Sequence, residues 1–201
     1  GRELRRIRQG KKLSLRSVAS AVGISPSLLS QVETGKTQPS VSTLYSLVNH
    51  LEVSLDGVMR PSPVTQQSHL HPHFGEESEP VLRKASERPV ITMDNGVTWE
   101  RLADGGNNIA DPLVVTYPPG ASSSADGTMM QHAAWEYACL TEGELVLQVD
   151  FEEYVLKPGD SVCFDAGRPH SYENRSDKPA KGLWFIIGLR ELASKTLADL
   201  G

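Results

Sequence analysis

Two hydrophobic periods divide the chain. Up to about residue 59 the apolar positions recur every three or four residues: Leu4 and Ile7, then Leu15, Val18, Ala19 and Val22, then Leu28 and Val32, then Leu44, Leu47, Val48 and Leu51. That spacing puts side chains on one face of an α-helix. It predicts five short helices, with Leu28 and Val32 as the core-facing pair of the third. Ser14, Ser25 and Ser40 stand where N-caps are needed, and Pro26 follows Ser25 at a first helical position. Gly23 and Gly35 mark the ends of the second and third helices.

From residue 60 to about 88 the chain is rich in Pro, Ser and charge and holds no period. Short β-branched or aromatic runs then follow: VITM, VTWERL, PLVVTY, WEYACL, ELVLQVDF, EYVLKPG, DSVCF and GLWFIIGL. Turn sequences such as Asp94-Asn95-Gly96, Pro118-Pro119-Gly120 and Lys157-Pro158-Gly159 separate them. Many short strands at such spacing make a sandwich or a small barrel. The closing stretch RELASKTLADL suits a helix or a strand extension equally. The expected organisation is α+β with two domains: a helical unit over 1–59, a linker over 60–80 and an all-β unit over 81–201.

The 201 residues, 38% of them hydrophobic, suffice for one large core or two small ones. No run approaches the roughly 20 apolar residues of a membrane span, and the basic start GRELRRIRQGKK lacks the apolar stretch of a signal peptide. A cytoplasmic protein is expected. The chain opens on Gly1 and not on methionine, which implies residues upstream of this numbering. Cys139 and Cys163 both fall in apolar strand-like segments and read as small buried hydrophobes, not as a disulfide.

The net charge of −5 is unevenly spread: residues 1–60 hold nine Lys or Arg against four Asp or Glu, and the remainder eleven against twenty-one. A basic module joined to an acidic one suits a polyanion-binding unit coupled to a unit that stays off the polyanion.

The segment SLRSVASAVGISPSLLSQVETGKTQPS, residues 14–40, reads as two short helices around Gly23, a helix-turn-helix. Ser27, Ser30, Gln31 and Thr34 recur at spacings of three and four on the outward face of its second helix. Small hydroxyls allow close approach in a major groove, and a glutamine can pair bidentately with adenine. Gln31 and Ser27 are therefore the leading base readers, while Arg16, Ser17, Ser25, Lys36 and Thr37 flank the helix and suit phosphate contacts. AVGISPSLLSQVETGKTQPS and TLYSLVNHLEVSLDGVM resemble the phage-repressor type of helix-turn-helix, the Xre family of bacterial regulators. The resemblance covers residues 2–59. It implies a five-helix domain whose third helix enters the major groove, Glu33 and Gly35 at the turn that follows, and binding as a two-fold homodimer to a DNA operator.

In MMQHAAWEYACLTEG and GDSVCFDAGRPHSYEN the spacings are His132-x3-Glu136-x6-Gly143 and Gly159-x7-Gly167-x2-His170-x3-Asn174. They resemble the paired motifs of the cupin superfamily, double-stranded β-barrels that commonly bind a divalent metal. Two departures stand out: Met130 takes the place of a first motif histidine, and Asp165 that of a proline. His132, Glu136 and His170 remain. They can hold Zn, Fe, Ni or Mn with solvent completing the shell, line a metal-free pocket, or serve structure alone.

If His132 points inward, so do Met130 and Ala134, and Val162, Phe164 and Tyr172 share the inward set of His170. Met130, His132, Glu136, Phe164, His170 and Tyr172 are the candidate effector residues. Trp135 and Trp184 read as packing residues, and Arg101 and Arg168 as solvated charges. The alternating His69, His71 and His73 can chelate metal only in a fixed geometry, and in a Pro-flanked linker they read as incidental.

The two resemblances imply a sequence-specific transcriptional regulator whose cupin domain pairs subunits and senses a small-molecule effector, with or without a metal. The alternative is a metal-dependent cupin enzyme of oxygenase or isomerase type carrying a helix-turn-helix. Two histidines and a carboxylate can support oxygen chemistry on iron, but the missing histidine weakens that site and no acid–base or nucleophile set accompanies it.

Overall fold

The computed structural model describes residues 1–53, 58, 82–103, 110–124 and 127–188. Four helices are described: α1 (Arg2–Gly10), α2 (Leu15–Ala21), α3 (Pro26–Glu33) and α4 (Val41–His50). The three caps expected from sequence form. Ser14 Oγ accepts from Ser17 N at 3.0 Å, Ser25 Oγ from Leu28 N at 3.1 Å, and Ser40 Oγ from Thr43 N at 3.2 Å. Gly23 and Gly35 end α2 and α3 with φ of 74° and 71°, a left-handed conformation that glycine adopts without a Cβ penalty. Of an expected fifth helix only Val58 is described, with helical backbone. The linker with His69, His71 and His73 lies outside the described residues, as does the stretch 190–200.

The helical core gathers Leu4, Val18, Ala19, Leu29, Val32, Leu44 and Leu47. Leu29, 1% exposed, takes the core position expected of Leu28, which is only half-buried. The offset has a physical origin: Leu29, Val32 and Glu33 form the buried stripe of α3 at spacings of three and four, and Leu28 falls at its edge. Glu33 is there because of Arg8. The Arg8 guanidinium grips the Glu33 carboxylate through two nitrogens, with Nη2 to Oε2 at 2.8 Å, and its third nitrogen donates to Leu13 O at 2.9 Å. This buried fork ties α1 to α3 and to the α1–α2 turn.

The β unit holds β1 (Val90–Thr92), β2 (Thr98–Arg101), β3 (Ala110–Tyr117), β4 (Ala134–Glu142), β5 (Leu145–Val149), β6 (Glu152–Leu156), β7 (Ser161–Asp165), β8 (His170–Glu173) and β9 (Ala180–Gly188). Every pairing between these strands is antiparallel. One sheet runs β1-β2-β3-β9-β4-β7 and the other β6-β5-β8. The sheets face each other across a core of Leu113, Val115, Leu140, Leu147, Tyr172 and Trp184. All eight strand-like runs read from sequence become strands; β8, inside the second histidine motif, is the addition.

Glycine and asparagine positions of the motifs do structural work. A Cβ on Gly143, whose φ is 75°, would meet Pro179 O at 2.3 Å. Asn174, fully buried, donates from Nδ2 to Tyr117 O at 2.8 Å and to Lys178 O at 2.7 Å. Asp165, in the place of a motif proline, holds the turn by accepting from Gly167 N at 2.9 Å.

Two readings are corrected here. Arg101 is not a solvated charge: it is 1% exposed and its Nη1 lies 2.9 Å from Asp111 Oδ1. It sits one strand period from the inward Trp99 on β2 and must follow it into the interior. The cysteines are free, but Cys163 is exposed and Cys139 half-buried, because both fall on outward positions of β7 and β4. Arg168 is surface-borne as expected and pairs with Asp150 at 2.7 Å.

The helical unit is seated on the barrel through α4. Ser42 N donates to Ser123 O at 3.1 Å, and Asp94 N, in the β1–β2 turn, donates to Pro39 O at 3.3 Å. These bonds fix the N-terminal end of α4 against two barrel loops.

Replacing Glu33 by alanine leaves the Arg8 charge buried without its partner. Glu33→Ala is expected to destabilise the helical unit by about 3–5 kcal/mol, read as a lowered denaturant midpoint for helical signal while the β signal unfolds as before.

Candidate functional site

Two surfaces carry the residues singled out by sequence. On α3, Ser27, Gln31 and Thr34 are exposed and Ser30 is half-buried, while Leu29, Val32 and Glu33 are buried on the opposite side. Arg16, Ser17, Ser25 and Lys36 are exposed and Thr37 half-buried around this face. Three of the hydroxyls already serve the fold: Ser25 caps α3, Ser17 Oγ donates to Ser14 O at 2.9 Å, and Thr34 Oγ1 donates to Ser30 O at 2.8 Å. Gln31 and Ser27 show no such engagement. The face is flat, small and polar, as close approach to base edges requires.

Inside the barrel, β4 alternates buried and exposed positions, so Ala134, Glu136 and Ala138 point inward while Trp135 and Tyr137 point out. His170 and Tyr172 point inward from β8 on the other sheet. Met130 pairs with His170 through backbone bonds of 2.8 and 3.0 Å, which brings the segment before β4, and His132 with it, to the same point. The cluster therefore draws on both sheets. His132, Glu136 and His170 are 6%, 2% and 0% exposed, and the potential ligand atoms of the three lie within 4.8 Å of one another.

Glu136 Oε2 lies 3.3 Å from His132 Nε2 and 3.4 Å from His170 Nε2. The directions make no hydrogen bond, and all three atoms are buried without a partner. Three unsatisfied atoms aimed at one point are costly unless a shared occupant satisfies them. The other sides of the cluster are in order. His170 Nδ1 sits 2.8 Å from Arg168 O; since a carbonyl only accepts, Nδ1 carries a proton there, and the contact fixes the ring with Nε2 turned to the cluster. Tyr172 OH donates to Glu136 Oε1 at 2.8 Å. Burial opposes the carboxylate's charge, yet the facing imidazoles of His132 and His170 outweigh it and hold the Glu136 pKa down at about 2.

Burial, and then the Glu136 charge, push the phenols of Tyr45, Tyr117 and Tyr172 well above their ordinary value, so they stay neutral. The donor set fits a divalent cation: two imidazole nitrogens and one carboxylate oxygen, with an outer partner on two of the three. Met130 and Phe164 are buried beside it. Met130 lines the cavity, and the Phe164 ring lies 5.0 Å from that of His170.

Sequence reasoning missed part of the wall. Val41 and Tyr45 come from α4 of the helical unit, and Trp99 and Trp184 complete the aromatic lining. The Tyr45 ring stacks on His132 with centroids 4.4 Å apart and planes 4° apart, and meets Trp99 edge-on at 5.2 Å. Helical periodicity marks Leu44, Leu47 and Val48 as core, but nothing in it shows that the neighbouring Tyr45 faces another domain.

Comparison with known proteins follows this division. Residues 4–58 match the model of a helix-turn-helix family and residues 113–186 that of the cupin domain. The chain is 29% identical over 178 residues to the HTH-type transcriptional regulator PuuR of Escherichia coli, covering 88% of each chain. It is 25% identical over 175 residues to the HTH-type transcriptional regulator SutR of the same organism, covering 87% of this chain and 86% of that one. The crystal structure of a helix-turn-helix family transcriptional regulator from Vibrio cholerae superposes over 92% of both chains with a TM-score of 0.63 at 19% identity, a likeness of fold.

Protein dialysed against a divalent ion is expected to retain about one per chain, by elemental analysis. His170→Ala should abolish this retention, and Tyr172→Phe, which removes the outer partner of Glu136, should weaken it roughly 10- to 100-fold. Equal retention by wild type and His170→Ala would place any ion elsewhere.

Proposed function

We propose that this chain, one of the helix-turn-helix transcriptional regulators that carry a cupin domain, binds a specific duplex sequence through α3 and adjusts that binding to the occupancy of the barrel. The observation that carries the reading is the division of α3 into a buried stripe, Leu29, Val32 and Glu33, and an exposed polar face with Ser27 and Gln31. Gln31 and Ser27 read base edges. Arg16, Ser17, Ser25, Ser30, Thr34, Lys36 and Thr37 set the helix in register against phosphates and flanking bases. The chain acts as a homodimer, since one helix of this length reads only a half-site and two such sites lie about one turn apart.

The barrel supplies the sensory half. Met130, His132, Glu136, Phe164, His170 and Tyr172 form the wall that meets a small-molecule effector, and His132, Glu136 and His170 hold a divalent metal where one takes part. Such a metal would supply a Lewis-acidic anchor for an oxygen or nitrogen of the effector. A ligand shifts DNA binding only through unequal affinity for the DNA-competent and incompetent arrangements.

The second reading, an enzyme, rests on the same triad, because two histidines and one carboxylate also serve iron oxygenases. It requires turnover that depends on added metal and vanishes in His170→Ala.

Gln31→Ala is expected to weaken binding to the cognate operator by about 1–3 kcal/mol, roughly 5- to 150-fold, at fixed salt, and to relax specificity at one base pair. Lys36→Ala should weaken all duplexes alike and reduce the salt slope by about one. Electrophoretic mobility or anisotropy titrations read both; operator affinity untouched by Gln31→Ala would remove α3 from the interface.

A further inference from the structure

The cavity is too small for the effector that the regulatory reading requires. Between Tyr45, Trp99, Met130, Glu136, Tyr172 and Trp184 there remains room for about one water or one ion. An organic molecule can enter only if part of the wall withdraws. The strands β3, β9, β4 and β7 are held to one another by antiparallel ladders, so their side chains have no coordinated way out. The α4 wall is different in kind. Val41 and Tyr45 reach the cavity from another unit, and among the described residues two backbone bonds join the units, from Ser42 N to Ser123 O and from Asp94 N to Pro39 O.

Tyr45 also occupies a defined place. Tyr45 is 7% exposed, and its ring lies parallel to the His132 imidazole at 4.4 Å and meets Trp99 edge-on. We infer that the ring of Tyr45 is a built-in occupant of the sensory cavity, and that an effector bearing a flat ring binds by replacing it on His132, levering α4 and the DNA-binding unit off the barrel. The inference rests on the barrel being the sensor and adds how occupancy is transmitted. The ligand class follows from the place vacated: a planar ring about the size of a phenol, stacked on one imidazole and met edge-on by one indole. A metal ion at His132, Glu136 and His170 is compatible with the seated ring, because Tyr45 covers the face of His132 and not its Nε2 edge.

The test uses the full chain and two variants. Tyr45→Ala removes the ring, and Tyr45→Phe keeps it. Amide hydrogen exchange is read at Ser42 and Asp94, the two donors that bridge the units, with Leu29 and Leu147 as controls within each core. Tyr45→Ala is expected to raise exchange at Ser42 and Asp94 by about tenfold or more, and Tyr45→Phe to leave both protected. The probe ligand is p-cresol at millimolar concentration: it should raise the melting temperature of Tyr45→Ala saturably, as a ligand of the native state does, and that of wild type less.

If Leu29 loses protection in Tyr45→Ala, the same measurements on Tyr45→Leu, which keeps the helix and an apolar side chain without the flat ring, decide. Unchanged exchange at Ser42 and Asp94 on loss of the ring overturns the inference, as does a Tyr45→Ala protein that p-cresol does not stabilise. Raised exchange with operator affinity unchanged leaves the seated ring standing and overturns instead the reading of the barrel as a control on DNA binding.

Discussion

A carboxylate that is 2% exposed and still charged sets the terms for the barrel. Removing such a group from water is expensive unless neighbours replace the lost solvation. Glu136 finds three of them, from two parts of the chain: His132 before β4, and His170 and Tyr172 on the opposite sheet. The bridge from Met130 to His170 and the pairing of β8 with β5 bring these neighbours to the carboxylate. One oxygen of the carboxylate is satisfied by Tyr172 and the other faces two imidazole nitrogens without bonding either. The half-satisfied state marks the place where a further partner is wanted, and it does so without reference to any relative.

The helical unit meets the same constraint with a different outcome. Arg8 and Glu33 satisfy each other fully through a two-pronged contact, and the remaining guanidinium nitrogen finds Leu13 O. Nothing is left over for a ligand. A closed ion pair of this kind gives α3 a fixed seat on α1, so the outward positions of α3 are presented on a rigid support. One buried charge organises a scaffold and the other organises a site; the difference lies in whether its partners complete the hydrogen bonding.

Much of this was legible in the sequence, where local chemistry decides the outcome. The caps at Ser14, Ser25 and Ser40, the stops at Gly23 and Gly35, and eight strand-like runs depend on neighbours a few residues apart. The meeting of His132, Glu136 and His170 is legible from the resemblance of their two motifs to the paired motifs of cupins. The shortfalls are matters of phase and of partners distant in sequence. Leu28 and Leu29 are adjacent apolar residues, and only the position of Glu33 under Arg8 decides which of them faces in. Charge alone makes Arg101 a surface residue, and β2 parity with Trp99 overrides it. Residue type places the cysteines inside, whereas strand parity turns Cys163 outward. Tyr45 lay beyond reach for a deeper reason: its role depends on contact between units separated by a connector whose course no local pattern encodes.

The contact at Tyr45 bears on how a regulator of this size can work at all. A signal in the barrel must change the freedom of α3, yet α3 contributes no residue to the cavity wall. α4 is the element that does both, lending Val41 and Tyr45 to the cavity and Leu44, Leu47 and Val48 to the helical core. Because α4 is packed into that core, it cannot leave the barrel alone, and displacement of one ring becomes displacement of the whole helical unit. The energetic demand is modest. Stacking of one ring and two backbone hydrogen bonds are each worth of order 1 kcal/mol net, so an effector with a micromolar affinity, about 8 kcal/mol, holds more than enough interaction to replace them. A contact much stronger than this would make the regulator deaf to its ligand, and one much weaker would leave the two units uncoupled before any ligand arrived.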